Sequence, residues 1–369
     1  MLRPVVITGG GTGGHIYPMM SIAEAFERQG VDPSLIRFVG SSRGQEKTLL
    51  TGGRFPLTLL PGRGIQRSLR PRALIQNIGA VGGLIIGLLR AVALVGWWRP
   101  RCVISVGGYA SLSASVGAVL WRRPLVLVEL DAHSGAAHRV VDRFAVKKCT
   151  SVPSNDPRTV VTGAPLRSSI SSIDRSEGAR TLRKVSFSPP IEEMRTVVVV
   201  MTGSLGSTSV NEAVLDLARQ WNAREDLTII HVTGKRDFAS LHKRAPHVNG
   251  LDYRMVDFAD MTQLWSVCDV AICRAGAGTL SELTALGIPA VLVPLPKMGD
   301  HQSKNAQGLV DAGAATVLRD QDCTADTLMT ALEHILTPTV QHQMAAAARS
   351  LGHVHADDEI VQVCLQVAK

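Results

Sequence analysis

The run Val197-Val198-Val199-Val200 has no polar face. Side chains of a strand alternate between two faces, so four consecutive valines need cover on both. A sheet sandwiched between helices provides that cover, and such sheets are typically parallel. Similar aliphatic runs recur along the 369 residues, each followed by a stretch of helical spacing. Strands are expected at Val5–Thr8, Ile36–Val39, Leu57–Leu60, Cys102–Val106, Leu125–Glu129 and Thr159–Thr162. A second series is expected at Thr196–Met201, Thr228–Val232, Val270–Cys273, Ala290–Val293 and Ala315–Leu318. Strand–helix alternation of this kind predicts an α/β chain with doubly wound sheets.

Between the two series, residues 154–193 carry Pro157, Pro165, Pro189 and Pro190 among several charges, which marks a boundary. The second series opens like the first, with an apolar strand, a glycine-rich turn and a helix. Two Rossmann-like domains are therefore expected, over residues 1–164 and 165–345. A closing helical segment, 346–369, is expected to return toward the N-terminal domain. Two such domains facing each other would enclose a deep cleft at their strand carboxyl ends, where open α/β sheets bind ligands.

The turns carry the chemistry. Gly9-Gly10-Gly11-Thr12-Gly13-Gly14-His15 follows a strand and opens a helix. Its glycines let backbone amides approach phosphate oxygens, and the helix start favours an anion. It satisfies the dinucleotide pattern loosely, but no acidic residue stands after the next strand, at Gly40-Ser41-Ser42, to hold a ribose, which argues against NAD. At Thr202-Gly203-Ser204-Leu205-Gly206-Ser207, Ser204 has a hydroxyl and an amide to offer a phosphate, although the turn alone equally suits a merely structural role. In the segment Cys273 to Glu282, the carboxylate of Glu282 suits the vicinal hydroxyls of a ribose; the plainer reading is an acidic residue complementing a helix dipole. Gln302 and Asn305 share a helix face, and amides suit sugar hydroxyls, although such a pair also suits an ordinary polar helix start.

Charge narrows the partners. Lys and Arg total 39 against 31 Asp and Glu, a net +8. The surplus favours anionic partners. Arg63, Arg67, Arg70, Arg72, Arg90, Arg99 and Arg101 crowd one stretch, but no RNA-binding signature with interleaved aromatics accompanies them, so nucleic acid is not expected. The six cysteines form no CxxC pair and read as buried thiols of a reducing compartment. The chain enters a strand at Pro4-Val5-Val6-Ile7-Thr8, so no secretory signal is read and a cytoplasmic placement is expected. His353 and His355 lack further spaced ligands, so no metal is expected there.

Together the segments resemble the MurG glycosyltransferases of bacterial cell-wall synthesis. Gly10-Gly11-Thr12-Gly13-Gly14-His15 with Pro18, Val106-Gly107-Gly108-Tyr109, Gly203-Ser204-Leu205-Gly206, Cys273 to Glu282, and Asp300-His301-Gln302 with Asn305 match that family's motifs in order and spacing. The resemblance covers nearly the whole chain. It implies the GT-B fold and an inverting transfer of N-acetylglucosamine from its UDP donor to the muramyl 4-hydroxyl of lipid I, forming lipid II. It implies no metal and no cofactor. It also implies that Glu282 binds the ribose, that Ser204 and Arg167 bind the donor phosphates, that Phe258 lies near uracil and that Gln302 meets the sugar. Ala277, Gly278, Thr279, Leu280 and Ser281 would form the turn under the nucleotide, and Thr12, Gly13 and Gly14 would line the cleft.

An alcohol attacks poorly unless a base takes its proton. His15 is the first candidate, because a helix start disfavours its protonated form; the alternative is that it binds the acceptor pyrophosphate. Glu129, at a strand end and expected to point into the cleft, is the other candidate base. The family's His-Glu-Gln-Asn run is here Val128-Glu129-Leu130-Asp131, which puts that loop's contacts, Asp131 among them, in question. His133 and His138 stand nearby and read as ordinary surface histidines.

Residues Ala73 to Trp98 are strongly apolar and long enough to span a bilayer, for which about 20 residues suffice. Arg90 inside the run and Gln76-Asn77 near its start argue for a buried helix or an interfacial surface instead. The flanks Arg67-Ser68-Leu69-Arg70-Pro71-Arg72 and Trp97-Trp98-Arg99-Pro100-Arg101 suit anionic lipid heads and the membrane interface. The expectation is a peripheral enzyme on the cytoplasmic, anionic inner leaflet. The competing readings are transfer to another lipid such as diacylglycerol, a UDP-N-acetylglucosamine 2-epimerase, and a non-catalytic nucleotide-sugar-binding protein.

Overall fold

The computed structural model of the protein describes residues 3–61, 71–175, 183, 187–203, 206–296 and 300–368, and only the backbone of 71–81. The chain divides into two units, Met1–Arg167 with His355–Lys369, and Ser168–Val354.

The first unit runs β1 (Val5–Gly9), α1 (Gly13–Arg28), β2 (Ile36–Ser41), α2 (Glu46–Leu50), β3 (Leu57–Leu60), α3 (Pro71–Trp98), β4 (Val103–Gly107), α4 (Ser111–Leu120), β5 (Leu125–Glu129), α5 (Ala136–Val141), β6 (Lys147–Thr150) and β7 (Thr159–Val161). Its sheet has the order β3-β2-β1-β4-β5-β6-β7, and its strand pairs are parallel. The winding reverses between β1 and β4. Their carboxyl ends lie side by side, Gly9 opposite Gly107 after a register shift. That reversal is where an open parallel sheet leaves a crevice.

The second unit begins with a short α6 (Ser168–Ser171). It then runs β8 (Thr196–Met201), α7 (Thr208–Gln220), β9 (Leu227–Val232), α8 (Phe238–His242), β10 (Asp252–Val256), α9 (Met261–Val267), β11 (Val270–Cys273), α10 (Ala277–Leu286), β12 (Ala290–Leu292), α11 (His301–Asp311), β13 (Ala315–Val317), α12 (Ala325–Ile335) and α13 (Pro338–Ser350). The order is β10-β9-β8-β11-β12-β13, again parallel. The valine run does what its pattern requires. Val197 and Val199 feed one core cluster, Val198 and Val200 the other, and all four are fully buried.

The last helix, α14 (Ala356–Val367), belongs to the first unit. Arg28 on α1 holds Asp357 at 2.7 Å and Asp358 at 2.9 Å. All six cysteines are buried and unpaired.

Two strands were not legible as strands. In β6, Lys147-Lys148-Cys149-Thr150 has two charges in four residues, yet β5 and β7 pair with it on either side. β10 is a sheet edge whose five residues are all half-buried, so it keeps Asp252 and Arg254. In both, pairing to neighbours overrides an unfavourable local pattern.

Candidate active site

In the first unit the crevice is a pocket of about 670 Å³ lined by His15, Gly107, Gly108, Tyr109, Glu129, Asp131 and His138 among others. The turn after β4 closes tightly on the turn after β1. Gly108 has a φ of +78°, and a Cβ there would meet the Gly10 carbonyl at 2.2 Å, so only glycine fits.

His15 sits on the first turn of α1, its ring against Gly107 and Gly108. Its Nδ1 is buried with no hydrogen-bond partner among the described residues. Burial pushes this imidazole below the ordinary histidine value; Asp131 opposes the shift and His138 adds to it. A ring held neutral near pH 7 can accept a proton.

Glu129 ends β5 with 6% of its surface exposed. Its Oε1 lies 3.0 Å from His138 Nδ1, in a contact too bent to count as a full hydrogen bond. His138 Nε2 lies 2.8 Å from Ser105 Oγ on β4. This corrects the sequence reading of His138, which is only 2% exposed. It shares the inner face of α5 with Val141, the helix's other buried residue, and that three-residue spacing was the available signal. His133 is exposed and contacts the Ala132 carbonyl at 2.8 Å.

The glycine-rich turn differs from its expected use. Gly11 N–H donates to Glu46 Oε1 at 3.0 Å, and Gly13 N–H donates to Gln45 Oε1 at 2.9 Å. Glu46 is fully buried and also accepts from Ser41 N–H at 2.9 Å. One amide is thus committed to the fold. The other is held by an exposed glutamine. Thr12 and Gly14 are exposed beside it. Glu46 and Gln45 escaped the sequence reading because they lie more than thirty residues from the glycine amides they hold. Arg167 closes the first unit, its guanidinium 4.8 Å over the Tyr17 ring.

In the second unit, Glu282 stands on α10, where its Oε2 accepts from Trp265 Nε1 at 2.7 Å. Trp265 is fully buried, so the carboxylate has a rigid anchor that the sequence did not indicate. Residues Ala277 to Ser281 are the opening of α10 rather than a turn. The Leu280 side chain is part of the core, which leaves only its backbone for a ligand. Gly278 is exposed, and Ala277, Thr279 and Ser281 are half-buried. Gln302 Oε1 accepts from Leu295 N–H at 2.8 Å, and Asn305 Nδ2 donates to the Ala275 carbonyl at 3.3 Å. Both amides therefore brace the loops after β11 and β12 here. Phe258 is 65% exposed, with Lys235 Nζ 5.9 Å from its ring centre. Ser204 lies outside the described residues.

On the first unit Ile85, Ile86, Leu89 and Trp97 of α3 are exposed, as are Leu120 and Trp121 at the end of α4. Trp121 Nε1 donates to the Val92 carbonyl at 2.8 Å and ties the two helices together. Among the described residues, no helix is long and apolar enough to cross a membrane. The basic flank Arg67 to Arg70 lies outside the described residues, as does the side chain of Arg72.

Two parallel-sheet units, an imidazole–carboxylate pocket at the strand ends of one and an anchored carboxylate in the other, define a glycosyltransferase of the two-Rossmann, GT-B kind. The glycosyltransferase family 28 N-terminal domain model matches residues 5–150, and the C-terminal domain model matches residues 197–360. A UDP-N-acetylglucosamine--N-acetylmuramyl-(pentapeptide) pyrophosphoryl-undecaprenol N-acetylglucosamine transferase of Alkalilimnicola ehrlichii is 34% identical over 378 residues, covering 100% of both chains. The crystal structure of Acinetobacter baumannii MurG has a TM-score of 0.79 at 25% identity, covering 99% of this chain and 100% of that one. The chain belongs to the MurG family of glycosyltransferases. A UDP-GlcNAc 2-epimerase from Neisseria meningitidis has a TM-score of 0.67 at 13% identity, covering 99% of this chain and 100% of that one, a likeness of fold alone.

Proposed function

We propose that this glycosyltransferase moves N-acetylglucosamine from UDP-N-acetylglucosamine to the muramyl 4-hydroxyl of lipid I, forming lipid II for peptidoglycan. The observation that carries the reading is that half-buried His15 and buried Glu129 line one pocket at the β1/β4 reversal, in a chain whose full-length relatives are named for that transfer. The acceptor oxygen forms a bond to C1 of the donor sugar as the bond from C1 to the diphosphate breaks. The hydroxyl proton passes to His15, or to Glu129 in the alternative assignment, and UDP leaves. A positioned base of this kind contributes about 10²- to 10⁴-fold in rate.

Glu282 accepts from the ribose hydroxyls, and Ser204 and Arg167 hold the diphosphate. Phe258 flanks uracil, and Gln302 meets the sugar once it leaves Leu295. The α10 opening from Ala277 to Ser281 lies under the nucleotide. Thr12, Gly13 and Gly14 receive the acceptor, with Asp131 at the rim of its pocket. The exposed Ile85, Ile86, Leu89 and Trp97 rest on the anionic cytoplasmic leaflet that holds the lipid acceptor.

The test offers labelled UDP-N-acetylglucosamine with lipid I, with diacylglycerol or with no acceptor. Label on lipid I alone is expected. Label on diacylglycerol, or isomerised donor without an acceptor, would overturn the assignment.

A further inference from the structure

Ser105, His138 and Glu129 form a chain of three buried polar side chains, of which the transfer reaction as described uses only Glu129. Ser105 is fully enclosed, His138 is 2% exposed and Glu129 is 6% exposed. The order resembles a hydrolytic relay, but an enclosed Ser105 on β4 cannot reach a substrate, so it is no nucleophile. The partners fix the proton positions instead. A serine hydroxyl donates and accepts, whereas a carboxylate only accepts. The acceptor-only carboxylate therefore places the hydrogen on Nδ1, facing Glu129 Oε1 at 3.0 Å, while the Ser105 hydroxyl meets Nε2 at 2.8 Å in either role.

Glu129 is otherwise weakly fixed, since Oε1 has no aligned partner among the described residues. A glutamate carries three side-chain torsions, and one misplaced by an ångström orients a substrate poorly. The Nδ1–H contact is bent, and contacts of this kind tighten as a substrate is bound.

We propose that His138, braced by Ser105, is a positioning residue that aims the Glu129 carboxylate at the acceptor sugar in the pocket shared with His15. The role rests on the transfer reaction proposed above and holds for either base: as the base Glu129 accepts from the attacking hydroxyl, and with His15 as the base it accepts from a neighbouring donor of the acceptor sugar and holds that sugar in register. His138 acts only through Glu129 and touches no reacting atom.

The experiment uses the full-length enzyme, lipid I in phosphatidylglycerol vesicles and labelled UDP-N-acetylglucosamine, with wild-type transfer established first so that failure of the proposed function is seen separately. His138→Leu removes both contacts and is expected to lower kcat about 10- to 100-fold with donor KM unchanged. His138→Asn places an amide N–H where Nδ1 was, keeps the Glu129 contact and is expected to recover most of that loss. Both variants remove the imidazole beside His15, so their difference belongs to Glu129. In a Glu129→Gln background His138→Leu is expected to cost little more, since the two act as one unit. Equal rates for the Asn and Leu variants, a raised donor KM, or losses that multiply in the double variant would each overturn the assignment. Should His138→Leu fail to fold, His138→Gln replaces it, because the longer amide reaches toward Ser105 and not Glu129. Equal kcat in Asn and Gln would then overturn it.

Discussion

Acid should loosen the second unit through one buried histidine. His231 on β9 is fully enclosed, with Nδ1 2.8 Å from the Tyr253 hydroxyl and Nε2 3.1 Å from Asn211 Oδ1. Asn211 Oδ1 only accepts, so Nε2 carries the hydrogen and Nδ1 accepts from Tyr253. Burial lowers the His231 value to about 3. The folded state thus refuses a proton that the unfolded chain takes up below about pH 6.5, and stability falls as the pH drops through that window toward 3. From pH 7 to pH 4.5 about two units of the window are crossed, which costs about 3 kcal/mol. His231→Gln keeps polar contacts but cannot titrate, so it lacks this component even if it begins less stable. The assay is hydrogen exchange of the peptide spanning residues 227–232, corrected for intrinsic rates at each pH. The opening free energy should fall about 3 kcal/mol more in wild type than in the variant. Equal losses in the two proteins would refute the reasoning, because carboxylate titration is common to both.

Three further outcomes are expected. Trp265→Phe removes the donor that fixes Glu282; a hydrogen bond to a charged acceptor is worth about 1.5–3 kcal/mol, so UDP affinity by calorimetry should weaken about tenfold, and an unchanged Kd would contradict the ribose role. Because His15 lies below the ordinary histidine value, chiefly through burial, it stays neutral into mild acid; the acid limb of the pH profile of kcat/KM should therefore fall below pH 6.5, and a limb well above neutrality would count against His15 as the base. Replacing Ile86 and Trp97 together by Ser should release the enzyme from phosphatidylglycerol vesicles in a co-sedimentation assay, since burying each such side chain contributes about 1.5–3 kcal/mol; unchanged sedimentation would remove the interfacial role from α3.

The sequence exposed what depends on local pattern. Val197 to Val200 announced a sheet covered on both faces, and the two glycine-rich turns announced the strand ends. What it hid depends on pairing across distance. The charges of β6 concealed a strand that only its neighbours stabilise. Glu46 buries its carboxylate beneath a turn and holds the Gly11 amide, thirty-five residues away. His138 looked superficial because the one signal in its own segment, its three-residue spacing to Val141, points to burial without revealing Ser105 and Glu129 as its partners. Gln302 and Asn305 suited a sugar by chemistry, yet here they bond main chain. An amide serves both purposes equally, and the sequence carries no geometry to separate them.

The account depends most on an unprotonated ring at the start of α1 receiving the acceptor's proton. Single-turnover transfer of labelled N-acetylglucosamine to vesicle-borne lipid I, run beside calorimetric UDP binding, measures this in wild type and His15→Ala. The chemical step should slow about 10²- to 10⁴-fold while UDP affinity stays within about twofold. A variant that transfers at the wild-type rate, or that loses UDP binding in step with turnover, would contradict it.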